Sequence, residues 1–156
     1  MTRPTRATVA GRAYLDLRAR ANADRRPVDE YLTLYALEGF LDRLSRSPHR
    51  ARFVLKGGVL LAAFDERRPT RAVDLAGLHL DNAIETITEA VVEISAVEVD
   101  DGLVIAAGQA SAEVIREESA GYAGVRVSLP ATLAGARVSF HVDVTWAIRS
   151  NPRRRR

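Results

Sequence analysis

From Tyr31 to Leu44 the apolar residues Tyr31, Leu34, Tyr35, Leu37, Phe40, Leu41 and Leu44 recur at three- and four-residue intervals. That repeat gathers side chains on one face of a helix. Pro27 stands where a first helical turn tolerates it, Asp29 and Glu30 follow near the positive end of the helix dipole, and Ser47-Pro48 closes the pattern. The spacing predicts a core-packed helix from about Pro27 to Ser47. Ahead of it, the Ala-, Leu- and Arg-rich segment from Val9 to Ala23, with Tyr14, Leu15 and Leu17, predicts a first helix with a partly exposed face.

Beyond Pro48 the period changes. Phe53-Val54-Leu55 is a short apolar approach into Lys56-Gly57-Gly58, and Val59 to Phe64 is long enough for two helical turns opened by the glycine pair. Arg71 to Leu80 reads as a strand. Asn82 is placed to cap a helix through Ile94 with Ile84, Ile87, Val91 and Ile94 on one face. Leu103 to Ile105, Glu113 to Arg116, Tyr122 to Leu129 and Ala136 to Trp146 are strand-like runs separated by glycine-containing turns, and they predict an antiparallel sheet. Helices early and strands late give an α+β order.

Composition narrows the classes. At 156 residues and 47% hydrophobic content the chain suits one domain with a real core. It contains no apolar run long enough to cross a bilayer, and the polar start MTRPTRATVAGR lacks the apolar core of a secretory signal, so the expectation is a cytoplasmic protein with no membrane partner. The absence of cysteine excludes disulfides, thiolate metal sites and a cysteine nucleophile within the chain. The net charge of +3 is compatible with a nucleic-acid partner, but the terminal RRRR alone outweighs it. Charge alone therefore gives no ground to infer a nucleic-acid groove.

The chemistry is concentrated in two strands. Residues two apart on a strand share a face, so an Asp-x-Asp pair presents carboxylates about 7 Å apart, near enough to hold divalent cations together. Ala72 and Asp74 occupy those two places in RPTRAVDLAG. A third acid from another strand would complete such a site, and RVSFHVDVTW supplies Asp143. Alternation puts Asp143 with Arg137, Ser139, His141 and Thr145 on one face and Val138, Phe140, Val142 and Val144 on the other. Gly57-Gly58 at a helix opening offers free backbone N–H groups to an anion such as a triphosphate. Taken alone, each feature also has an ordinary structural explanation, a solvated aspartate or a tight turn.

In order, FVLKGGVLLAAF, RPTRAVDLAG and GVRVSLPATLAGARVSFHVDV resemble the AbiEii/AbiGii toxin family, whose core is similar to the nucleotidyltransferase core of the DNA polymerase beta type. With LYALEGFLDRLSRSPHRARFVLKGG the resemblance covers roughly residues 8 to 145. It implies a mixed or antiparallel nucleotidyltransferase sheet flanked by helices, with the N-terminal helices packed on one side. It implies magnesium-assisted transfer of a nucleotide from an NTP to an RNA or tRNA-like acceptor, in a bacterial toxin paired with an antitoxin encoded nearby. On these residues, Lys56, Gly57, Gly58 and Arg71 would lie against the nucleotide. The first metal-binding acid falls at Ala72, and Asp74 and Asp143 are the second and third.

Two departures from the family follow. Ala72 leaves Asp74 and Asp143 to hold ions that are normally held by three acids, and magnesium binds poorly when oxygen ligands are missing. The chain also reads Thr145-Trp146-Ala147-Ile148 where the family reads V-G-D-P and continues into a helical region. One GC-rich coding, ACG TGG GCG ATC CGG TCC AAC CC, restores V-G-D-P when read two bases later. The expectation is a nucleotidyltransferase-like domain over residues 1–145 and a disordered or frameshift-derived tail over 146–156. Function is then an impaired nucleotidyltransferase toxin. The alternatives are an inactive remnant binding only nucleotide or antitoxin, or a basic RNA-binding module. Against the last stands an aromatic content of only 6%, too sparse for a base-stacking surface.

Overall fold

A computed structural model describes residues 3–56, 70–78, 83–117 and 122–146. The predicted helix over Val59 to Phe64, the glycine pair Gly57 and Gly58, Asn82 and nearly all of the tail lie outside these residues.

Helix α1 spans Val9–Asp24, with the Thr8 hydroxyl accepting from the Gly11 N–H at 2.9 Å, an N-cap that satisfies one of the helix's orphan donors. Helix α2 spans Val28–Arg46, with Pro27 at the N-cap position, Asp29 and Glu30 in the first turn and Arg43 and Arg46 in the last. Both ends therefore complement the helix dipole. Strand β1 (Phe53–Leu55) and strand β2 (Ala72–Gly77) precede helix α3 (Ile84–Ser95), whose N-cap is Ala83. Strands β3 (Leu103–Ile105), β4 (Ser111–Glu117), β5 (Tyr122–Leu133) and β6 (Ala136–Trp146) complete the order. Among the described residues no helix is long and apolar enough to cross a membrane.

The strands form one mixed sheet in the order β1-β2-β6-β5, with β3 and β4 sharing the far edge of β5. The expected antiparallel pairing holds for β3 to β6. The β2–β6 pair is parallel, and it is this pair that brings the two acid-bearing strands together. Strand β5 runs four residues past the expected end at Leu129, through Pro130. The Pro130 carbonyl accepts from the Ala106 N–H at 2.9 Å, so its backbone polar edge faces the gap between β3 and β4, where an N–H would have no ladder partner. Ala134 (φ 50) and Gly135 (φ 83) close the β5–β6 hairpin, the two positive φ values of the turn that matches strand twist.

Alternation sorts the sheet into two faces. Val73, Leu75, Val125, Val127, Leu129, Val138, Phe140, Val142 and Val144 are buried against Leu32, Ala36, Leu37 and Phe40 of α2 and Ile87, Val91 and Ile94 of α3. Phe40 and Phe140 meet at 6.0 Å between ring centroids, tilted by 57°. That is a favourable aromatic geometry at the centre of the core. The expected α+β architecture, with helices covering one face, is what forms, and the opposite face carries the polar residues.

Gly102 holds α1 against the sheet. Its φ is +77°, and a Cβ there would come within 2.5 Å of the Ala10 Cα. Gly102→Ala is expected to cost about 2–3 kcal/mol, combining left-handed strain with a backbone clash. Urea unfolding checks it, and a loss under about 0.5 kcal/mol, the size of an ordinary surface change, would show that α1 is not held there.

Candidate functional site

On the polar face, one row of register partners crosses four strands: Glu113 on β4, Arg126 on β5, Asp143 on β6 and Asp74 on β2. The next row is Ser111, Ser128, His141 and Ala72. Ala72, Asp74, His141 and Asp143 therefore make the four corners of a square on the parallel β2–β6 pair. The two acids chosen from the sequence are direct neighbours, and the position without an acid lies beside His141.

Arg126 joins this row of acids, although the motifs do not single it out. Its Nε donates to Asp143 Oδ1 at 2.8 Å and its Nη2 to Oδ2 at 2.9 Å, a bidentate pair in which the Asp143 side chain is 14% exposed. This fork-to-carboxylate geometry is among the strongest side-chain hydrogen bonding available. The Asp143 carboxylate holds the Arg126 guanidinium above its ordinary range; partial burial opposes this, and Glu113 and Asp74 add to it at longer range. One carboxylate thus pairs with the guanidinium directly, and two more act on it from a distance. In the adjacent row Ser128 Oγ and His141 Nδ1 lie 2.9 Å apart. The Thr145 hydroxyl, two residues beyond Asp143, is buried without a partner among the described residues.

The remaining candidates lie at the margin of the square. Lys56 is exposed, and its backbone N–H donates to the Asp74 carbonyl at 2.9 Å. Arg71 is exposed, and its carbonyl accepts from the His141 N–H at 2.9 Å. Both residues are thereby tied to the corners of the square through their backbones. Gly57 and Gly58 lie outside the described residues.

A divalent cation pair needs several oxygen ligands in reach, with hard carboxylates foremost. Ala72 supplies none, and both Asp143 oxygens are engaged by Arg126. Among the described residues, no group of three His, Cys, Asp or Glu side chains could hold a metal ion. As arranged, the residues do not fit the two-magnesium centre that the sequence resemblance implies.

The sequence does hold a signal for Arg126. From the Ala134-Gly135 turn, equal steps back along β5 and forward along β6 reach Arg126 and Asp143 together. A two-residue turn at Ala134-Gly135 is enough to fix that register, because hairpin loop length sets which residues face each other.

Comparison with curated proteins returns no match. The family model described as nucleotidyl transferase AbiEii toxin, type IV toxin–antitoxin system, matches residues 39–154. That span contains β1 to β6 and every residue of the square, and it covers more than half of the chain. The chain belongs to the AbiEii nucleotidyltransferase toxin family.

Proposed function

We propose that this domain binds a nucleoside triphosphate in the manner of a nucleotidyltransferase toxin and transfers a nucleotide to RNA, with a tRNA-like end as acceptor, only poorly. The observation that carries the reading is the square on the β2–β6 pair, where Asp74 and Asp143 are register partners and Ala72 stands at the position of the first acid. Lys56 and Arg71 supply positive charge at its margin, suited to drawing in the triphosphate, and Gly57 and Gly58 complete that margin in the sequence. Asp74 and Asp143 are the site's acids. In the family reaction magnesium supplies the charge neutralisation at the phosphates, and the present ligand set lacks one carboxylate for it.

The setting is the bacterial cytoplasm, and the toxin–antitoxin description of the family supports an antitoxin as counterpart. The specific observations that favour a largely inactive form are Ala72 and the Arg126–Asp143 fork. A purely basic RNA-binding surface has less support, because the polar face of the sheet is lined by a row of three acids and one arginine.

Titration of a fluorescent nucleoside triphosphate tests the binding half of this reading. Saturable binding is expected, weakened about tenfold by Lys56→Glu combined with Arg71→Glu, since two charge reversals act on a polyanion at short range. Binding that is absent, or unchanged in the double variant, would place the nucleotide elsewhere.

A further inference from the structure

The acid row is built around an internal cation. Glu113, Asp143 and Asp74 are brought into line by the registers of β4, β5, β6 and β2, and the single base among them is Arg126. Asp74 and Asp143 are carboxylates side by side on adjacent strands, with Glu113 one strand beyond Arg126, and such a row repels itself unless something positive lies within it. A divalent ion could do this, and so can a guanidinium. Here the guanidinium does, with both of its bonding nitrogens on Asp143, one to each oxygen.

We propose that Arg126 takes the place of a divalent cation at Asp143, so that in the natural chain the acid pair is neutralised by a side chain and admits a metal ion only when that side chain is displaced. The proposal rests on the reading of Asp74 and Asp143 as the site's acids. It extends that reading by assigning Arg126 a function of its own, as the residue that sets cation access. The square also explains why an arginine serves here. Ala72 leaves a gap where a carboxylate would help a metal ion compete, so a planar fork that satisfies both Asp143 oxygens faces a weaker rival than it would in a three-acid site. Arg126 reaches Asp143 from β5, the strand opposite β2, and closes it from the side away from Asp74. Its alternative partners are phosphate oxygens, which present the same bidentate geometry.

The test is Mn²⁺ titrated into the purified chain, followed by loss of the free-ion paramagnetic signal. Arg126→Gln is expected to bind Mn²⁺ about tenfold or more tightly than the natural chain, because it removes both a competing ligand partner and a like charge at contact range. Adding Asp143→Asn to that variant is expected to abolish the gain. Arg126→Lys keeps the charge and loses the fork, and it should tighten binding by a smaller factor; if Arg126→Gln fails to give a cooperative thermal transition, this variant carries the test. Unchanged or weaker Mn²⁺ affinity in the folded variants, or a gain that survives Asp143→Asn, overturns the proposal. Because the readout is cation binding, it stands or falls separately from any result on nucleotide transfer.

Discussion

Arg43→Ala is expected to lower the stability of the fold by about 3–5 kcal/mol, the cost of leaving one member of a buried ion pair without its partner. Arg43 is 3% exposed on α2. Its Nη1 donates to Asp101 Oδ2 at 2.8 Å and to the Gly39 carbonyl at 2.9 Å, and its Nη2 donates to Asp101 Oδ1 at 3.0 Å and to the Leu103 carbonyl at 3.2 Å. One side chain therefore joins the last turns of α2 to the start of β3. Asp101 also accepts from the Leu103 N–H at 3.0 Å, and its own carbonyl accepts from the Tyr35 hydroxyl at 2.5 Å. Burial, with the Asp101 charge beside it, pushes the Tyr35 phenol above its ordinary range and keeps it a donor. Truncating Arg43 strands a largely buried carboxylate and a strand carbonyl at once. Urea unfolding should show a lower midpoint with an unchanged slope. A loss below about 1 kcal/mol, typical of an exposed pair, would mean that solvent already screens this contact.

The sequence is most legible where one face of an element is buried. The helical repeat from Tyr31 to Leu44 and the alternation from Arg137 to Thr145 each name a buried face, and the core contains Leu34, Leu37, Phe40, Leu44, Val138, Phe140, Val142 and Val144 as buried residues. Element ends are less legible because they depend on partners distant in sequence. Strand β2 stops at Gly77, after which the Leu78 N–H turns to the Arg52 carbonyl at 2.7 Å. The expected end of this strand at Leu80 lies outside the described residues. Pro130 argues for an end to β5 that the gap between β3 and β4 makes unnecessary.

The site is legible in part for the same reason. Asp74 and Asp143 stand out as acids within apolar runs, yet their adjacency depends on the parallel β2–β6 register, which no local pattern encodes. Arg126 and Arg43 are hidden among many arginines: 22 of the chain's 23 basic residues are arginine. Composition cannot tell an arginine that pairs from one that is solvated. Burial and register can.

Ala72→Asp is expected to have the largest effect on function. Ala72 is a half-buried residue of β2, on the same face as Asp74 and opposite His141. A carboxylate placed there stands two residues from Asp74 and diagonal to Asp143, giving a third oxygen source for the proposed centre. Without a cation the variant should be less stable than the natural chain, because three acids crowd one corner of the sheet. With magnesium it should recover, as a ligand that binds only the folded state stabilises it. A third carboxylate also helps a divalent ion displace the Arg126 fork. If the completed centre supplies even about 3 kcal/mol of added charge stabilisation in the transition state, transfer rises by about a hundredfold.

We propose as the central claim that this member of the family carries a nucleotidyltransferase frame whose cation centre is short by the one ligand at Ala72. It is tested most directly by measuring magnesium-dependent incorporation of label from a nucleoside triphosphate into RNA, with the natural and Ala72→Asp chains side by side. Expected are incorporation near background for the natural chain and about a hundredfold more for Ala72→Asp, abolished by chelation. Equal incorporation by the two chains would contradict it.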